Sequence, residues 1–160
     1  MIKAVLMSIN RPHTDNIHAG LKTSELRTRA PKLPTPFKVY TYETRRFGGS
    51  GKVVSEWTCR SMTEWLMYMG TPAHLAVTGC VSVDEIRRYC DYGRKNITEM
   101  KISDLVVYEQ PKELSEFYLA CDKPKGTDCA KCLDRMENHC LQLAKPPQNW
   151  CYVEENVSRA

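Results

Sequence analysis

The sequence predicts an α+β fold built on a small, mostly antiparallel β-barrel with inserted helices and a Cys-rich loop. Short apolar runs rich in β-branched and aromatic residues recur along the chain, and Pro- and Gly-rich turns separate them. Few segments have helical patterning. Closure into a barrel is favoured because it removes exposed strand edges, but the same pattern also fits an open α+β sandwich.

The first half of the chain contains most of the predicted strands. Residues 2–7 are apolar and β-prone, as in a buried strand. A short helix is expected next, because Pro12 suits a first helical turn and Gly20 suits a helix end. The turns PKLPTP and RRFGGSG then separate three further predicted strands at 22–29, 37–44 and 52–58.

The sequence predicts more helix in the second half of the chain. Helices are expected at 62–69, with the sequence MTEWLMYM, and at 82–89, where Ser82 and Glu85 have the spacing of a capping box. The remaining predicted elements are a strand at 101–108, a short helix at 114–119 and a last strand at 150–153.

Length and composition indicate a single globular domain over residues 1–160. The hydrophobic content of 42% and the charged content of 26% are ordinary for a packed protein. The N-terminal apolar run is too short for a signal peptide, and no stretch reaches membrane-spanning length. We therefore expect a cytoplasmic protein with no membrane partner, whose cysteines are thiols or metal ligands.

Positive charge is concentrated near the N-terminus. Residues 1–55 contain ten Lys or Arg against three acidic residues, a net charge of +7, whereas the rest of the chain has −3. This half is where an anionic partner would be attracted, although the charges also suit solvated strand faces.

The segment AGLKTSELRTR contains Gly20, Lys22, Glu25 and Arg27 in the pattern GxKxxExR. On a strand, side chains alternate between faces, so Glu25 and Arg27 should share one face and Lys22 should lie on the other. A carboxylate beside a guanidinium can orient it towards a phosphate or a base edge. The alternative is a purely structural ion pair.

This motif resembles the signature of ASCH domains, a branch of the PUA-like superfamily. The segments KISDLVVYEQPKELSEF and KPPQNWCYVEE extend the resemblance over nearly the whole chain, and together they resemble small, often phage-encoded proteins of Gram-positive bacteria. The resemblance implies a PUA-like barrel that binds a nucleic acid or a nucleotide.

The resemblance also implies two possible reactions. Some ASCH proteins are amidohydrolases acting on acylated cytidine, with a catalytic lysine at the position of Lys22 and a catalytic threonine at the position of Glu25. This chain keeps the lysine but not the threonine. Other members cut RNA. Lys22 and Glu25 are therefore the candidate catalytic residues, and His13 is a further candidate general base.

The predicted ligand-binding residues lie in and just before the motif: Ser8, Arg11, Lys22, Thr23, Glu25 and Arg27. Tyr40, Tyr42 and Trp57 are candidates for stacking on bases, although strand aromatics more often pack in a core.

Four cysteines, Cys121, Cys129, Cys132 and Cys140, form the pattern C-x7-C-x2-C-x7-C in an insertion at 121–140. Four thiolates can close a tetrahedral zinc site with no open position, so the expected zinc is structural. An iron–sulfur centre, free thiols and disulfides are the alternatives, and His139 could replace Cys140 as a ligand. The other cysteines, Cys59, Cys80, Cys90 and Cys151, are expected to be buried thiols.

Three functions remain open from the sequence. The first is a nucleic-acid or nucleotide-binding module, and the second is a small amidohydrolase or ribonuclease using Lys22 and Glu25. The third is a phage protein that inhibits a host defence factor by binding it through the Cys-rich segment.

Overall fold

The computed structural model describes residues 2–121 and 142–156, which form an α+β fold around one six-stranded mixed sheet. The strands are β1 Lys3–Ile9, β2 Ser24–Arg27, β3 Phe37–Glu43, β4 Val53–Trp65, β5 Ile97–Lys112 and β6 Trp150–Glu154. The helices are α1 Arg11–His18, α2 His74–Gly79 and α3 Val83–Tyr89, with short 3-10 turns at Arg46–Gly48, Met67–Met69 and Leu114–Glu116.

The sheet has the strand order β2-β5-β4-β3-β1-β6. Its pairings are antiparallel except for β1 with β3, which run parallel with Val5 opposite Val39. The predicted mostly antiparallel sheet is therefore confirmed. β4 and β5 are long and interrupted by register shifts, which allows them to bend along their length.

The two ends of the sheet approach each other through side chains. In the described residues β2 pairs with β5, whereas β6 pairs with β1 and also forms an isolated antiparallel bridge between Val153 and Leu119. The Arg27 guanidinium crosses from the end of β2 to the Ser8 carbonyl at 2.9 Å, and Trp150 Nε1 donates to the Arg29 carbonyl at 2.8 Å. Backbone closure into a barrel stays a prediction.

The apolar interior lies on both sides of the central strands. Val5, Met7 and Trp57 belong to one cluster, and Leu6 and Tyr40 belong to another. Trp57 and Tyr40 have no exposed surface and Tyr42 has very little, so of the two roles the structure favours packing in the core over stacking on a ligand. They are core residues, and Trp57 Nε1 is satisfied by Thr41 Oγ1 at 3.1 Å.

The helix predicted at 62–69 is wrong. β4 continues through Trp65 and pairs with β5, with Met62 opposite Met100, and only Met67–Met69 forms a 3-10 turn. Long-range pairing overrides the local preference here. The helix predicted at 114–119 is likewise reduced to the turn Leu114–Glu116.

The connection between β4 and β5 carries α2 and α3. The sequence did not indicate α2, but it did predict α3, where Ser82 and Glu85 form the expected capping box. Within the described part of the chain, no helix has the length and apolar character needed to cross a membrane.

Candidate functional site

The GxKxxExR motif forms a buried charge group at the start of β2. Glu25 Oε1 accepts from Arg27 Nε at 2.9 Å, so the predicted same-face pairing is confirmed. The prediction that Lys22 faces the other way is wrong, because Lys22 Nζ lies 3.5 Å from Glu25 Oε2. Gly20, at φ +75°, turns the chain and the strand begins only at Ser24, so strict alternation does not extend back to Lys22.

Lys22 is almost completely buried, with 4% of its surface exposed. Its ammonium donates to the Gly79 carbonyl at the end of α2, at 2.7 Å. A side chain at position 79 would collide with Leu26, since an added Cβ would lie 2.6 Å from Leu26 Cδ1. The close packing of α2 on β2 therefore brings this carbonyl to the lysine.

The three nitrogens of Arg27 all have protein acceptors. Nε donates to Glu25, Nη1 donates to Asn149 Oδ1 at 2.5 Å, and Nη2 donates to the Ser8 carbonyl at 2.9 Å. Because the guanidinium has five N–H groups, part of its donor capacity is still available. Its orientation is nevertheless set by the protein, and it links β2 to β1 and to the segment before β6.

The two carboxylate oxygens of Glu25 differ in their hydrogen bonding. Burial would raise the pKa of its carboxyl, but the positive charges of Lys22 and Arg27 outweigh burial and hold the pKa below its ordinary value. Glu25 is therefore ionised at neutral pH. Its Oε2 is buried and has no hydrogen-bond donor among the described residues, although buried polar atoms normally find one.

His13, on α1, adds a second unsatisfied polar atom. Its Nδ1 is buried and has no hydrogen-bond partner in the described structure. Burial lowers the pKa of this imidazole, and the nearby positive charges of Lys22 and Arg27 lower it further against the opposing effect of Glu25. His13 is thus neutral at neutral pH.

These side chains line one large cleft of about 1270 Å³. Lys22, Glu25, Arg27 and His13 lie along it, Tyr89 of α3 lies on one wall, and the segment Pro146, Pro147 and Gln148 also borders it. Small-molecule sites usually enclose about 300–1,000 Å³, so this cleft has room for more than a single small ring.

The turn between β3 and β4, residues 45–51, forms part of the cleft wall and is here named the rim loop. Arg45, Arg46 and Phe47 line the cleft, and all three are exposed. Neither arginine forms an ion pair with any described residue. The sequence suggested only a turn here, although two adjacent arginines before an aromatic residue in the basic half were a usable signal.

A second buried carboxylate supports the cleft from behind. Glu99, on β5, accepts from Ser24 Oγ at 2.9 Å and from Thr78 Oγ1 at 3.0 Å. His74 Nε2 lies 3.2 Å and Trp65 Nε1 lies 3.4 Å from its other oxygen. Glu99 therefore joins α2, β2 and β4, and it fixes the helix end that supplies the carbonyl contacting Lys22.

The other predicted ligand-binding residues are used by the protein itself. Ser8 Oγ donates to the Pro147 carbonyl at 2.6 Å, and Arg11 Nη1 donates to the Gly48 carbonyl of the rim loop at 2.7 Å. The amide of Thr23 donates to the Thr78 carbonyl at 2.9 Å. Ser8 lines the cleft, whereas Arg11 and Thr23 do not.

Most of the predicted zinc site lies outside the described residues. Cys129, Cys132 and Cys140 fall in 122–141, and only Cys121 is described, as a free and partly buried thiol. In residues 2–121 and 142–156, no group of three or more His, Cys, Asp or Glu side chains is placed to bind a metal ion. Cys59 and Cys90 are buried as expected, and burial raises the pKa of the Cys59 thiol to about 12.

No protein-family model and no curated protein matches the sequence. Solved structures do match. The crystal structure of ASCH from Zymomonas mobilis is 16% identical with a TM-score of 0.66, and the match covers 95% of this chain and 88% of that chain. Two single-residue mutants of the Zymomonas mobilis protein match at 17% and 18% identity, with TM-scores of 0.65 and 0.64 and with 91% and 89% of their chains covered.

These matches carry no support for a phage origin, which stays a prediction. They extend over almost the whole described sheet and its inserted helices. The chain therefore has the α+β fold of the ASCH domain proteins.

Proposed function

We propose that the cleft binds a nucleotide or a nucleic acid, with a base at its floor and phosphate towards its rim. The ASCH and other PUA-like folds are commonly associated with nucleic-acid binding, which supports this class of ligand. The observation that carries the proposal is Glu25, a residue of the cleft lining whose buried Oε2 lies 3.5 Å from Lys22 Nζ but has no hydrogen-bond donor in the described structure.

The floor of the cleft, where Lys22, Glu25, Arg27 and His13 lie, suits a base edge better than a phosphate. Lys22, Glu25 and Arg27 together carry only one net positive charge, and the negative charge of the Glu25 carboxylate would repel a phosphate. A base supplies N–H donors, and carboxylates accept from exocyclic amines such as N4 of cytosine. The neutral imidazole of His13 adds a group that can donate or accept, depending on its tautomer.

The wider charge distribution suits the phosphate. Residues 1–55, which supply most of the cleft wall and its floor, carry a net charge of +7. Such a field raises the local concentration of an anionic ligand and makes binding depend on salt.

The test uses binding of nucleoside monophosphates and of short RNA and DNA oligonucleotides at several salt concentrations. Lys22→Ala should weaken binding, because it removes the cation that holds Glu25 in place. Lys101→Ala removes the same charge from an exposed strand position and is the matched control. If the parent binds no member of the panel, or if Lys22→Ala binds like Lys101→Ala, the proposal is wrong.

A hydrolase is the second candidate, and His13 is the observation that favours it. A neutral imidazole with a free nitrogen beside a buried lysine and a carboxylate can accept a proton from a nucleophile. The substrate classes are those implied by the ASCH resemblance, an acylated cytidine or RNA. Turnover of either one by the purified protein, lost in His13→Ala, would establish this alternative.

A further inference from the structure

The rim loop has features that the fold does not require. We propose that it is a second binding site, which holds the nucleotide adjacent to the one in the cleft, so that the ligand is a single strand of nucleic acid. Phe47 stacks on the adjacent base, and Arg45 and Arg46 contact the phosphates. The inference rests on the proposed function of the cleft and extends it.

Phe47 occupies an unfavourable position for a phenylalanine. Its ring is 70% exposed at the cleft, and its φ of 54° lies in the left-handed region that favours Gly or Asn. It belongs to none of the apolar core clusters formed by the described residues. An exposed aromatic ring held in a strained backbone beside a cleft is a candidate stacking surface for a base.

The rim loop is held in one conformation by the residues beneath it. Glu43 accepts from the Ser50 amide at 2.8 Å through Oε1, and its carbonyl accepts from the Gly51 amide at 3.0 Å. Arg11 holds the Gly48 carbonyl from the other side. At Gly49 an added Cβ would lie 1.8 Å from the Thr44 carbonyl oxygen, so only glycine fits. Because the loop is already ordered, little conformational entropy is lost when a base stacks on it.

The charges of the rim loop complement a strand of phosphates. Arg45 and Arg46 have no ion-pair partner in the part of the chain that the structure describes, whereas Lys22 and Arg27 are both paired with Glu25. The rim arginines are therefore the cleft-lining cations without an ion-pair partner in the described residues, and each can pair with an anion. A duplex keeps its bases stacked and paired, so it could not place one base at the floor and the next on Phe47.

The first test compares Phe47→Ala with the parent, using a nucleoside monophosphate series and a single-stranded octamer as probes. We expect binding of the octamer to weaken about 5- to 150-fold, the range for losing one aromatic–base stack, and monophosphate binding to weaken much less. Tyr92→Ala is the matched control, because Tyr92 is 74% exposed, has a φ of 53° and does not line the cleft.

The second test addresses the arginines. The double variant Arg45→Ala, Arg46→Ala should lower the salt slope of octamer binding by about 1.4, since each single-strand phosphate contact contributes about 0.7. The control is Arg60→Ala, Arg94→Ala, which removes the same charge from two exposed positions away from the cleft.

The inference is overturned if Phe47→Ala binds the octamer like the parent, if Tyr92→Ala loses as much, or if the parent binds the octamer no more tightly than a monophosphate. A duplex octamer bound as tightly as the single strand would also overturn it. Failure of the cleft proposal is distinguishable, because Lys22→Ala would then keep monophosphate binding. If Phe47→Ala still lost octamer binding, the rim loop would stand as a strand-binding surface.

Discussion

Arg27 and Asn149 are 122 positions apart in the sequence, yet the guanidinium of one donates to the side-chain carbonyl of the other. This contact, with the Arg27 bond to the Ser8 carbonyl, joins the β2 end of the sheet to β1 and to the segment before β6. The charge group thus has a geometric role as well as an electrostatic one, because one planar side chain spans the gap between strands that share no backbone pairing in the described residues.

Arg27→Lys should destabilise the protein even though it keeps the positive charge. A lysine cannot reproduce three divergent contacts from one planar group, and it leaves partly buried acceptors without donors. We expect a loss of about 1–3 kcal/mol in the free energy of unfolding, measured with urea. Arg60→Lys, at an exposed site, is the control, and equal stability of the two variants would show that the link is unimportant.

Glu25→Gln separates binding from chemistry. If Glu25 acts by holding Lys22 and Arg27, the variant should lose about 1 kcal/mol of binding free energy for a nucleotide. If it acts by transferring a proton, binding should persist while turnover of an acylated cytidine or RNA disappears. We expect the first result, measured on one preparation with thermal unfolding as the folding control. Preserved binding with lost turnover would make the protein an enzyme.

Glu99→Gln should change the response of stability to acid. Burial raises the pKa of Glu99, but its hydrogen bonds from Ser24, His74 and Thr78 outweigh burial and lower the pKa below 4.5. A lowered pKa stabilises the fold above the unfolded value of about 4.5, and this contribution is lost as the pH falls through the folded value. The parent should therefore be more stable than the variant near pH 7, and the two should converge below pH 4.5.

The measurement for Glu99 is the free energy of unfolding in urea at a series of pH values. Glu109→Gln, at an exposed position on the same strand, is the control and should follow the parent throughout. A constant difference between Glu99→Gln and the parent down to low pH would contradict the assignment of the effect to ionisation.

The zinc prediction concerns the Cys-rich segment and is independent of the cleft. We expect about one zinc per chain, held by Cys121, Cys129, Cys132 and Cys140, since four thiolates close a tetrahedral site. Elemental analysis of protein prepared without chelator gives the stoichiometry. The double variant Cys129→Ser, Cys132→Ser should lose the metal, whereas Cys80→Ser should keep it. Unchanged metal content in the double variant would rule out this ligand set.

Local patterns predicted the elements that local interactions determine. The capping box of Ser82 and Glu85, the Gly20 turn and the strand at Phe37–Glu43 all form where the sequence places them, although that strand is buried on both faces. The prediction at 62–69 failed because the pairing of β4 with β5 decides that segment, and no local pattern reports this pairing.

The contacts of the candidate site also fall into two groups, those set by local sequence and those set by the fold. The pairing of Glu25 with Arg27 follows from strand alternation, so the motif predicted it. The partners from elsewhere in the chain, Gly79 and Asn149, could not be predicted, because only the fold brings them to β2. The exposed ring of Phe47 was also missed, since a sequence does not reveal a positive φ at a residue other than glycine.

The contact between Arg27 and Asn149 also has a consequence for the order of assembly during synthesis. The motif is made early, but Asn149, one of the partners of Arg27, is made only 122 residues later, just before the last strand. The Ser8 hydroxyl likewise has its acceptor, the Pro147 carbonyl, 139 positions later in the sequence. Contacts this distant form late because they must close the longest loops. A nascent chain therefore has its basic segment, residues 1–55, exposed before the contacts with Pro147 and Asn149 that complete this end of the cleft can form.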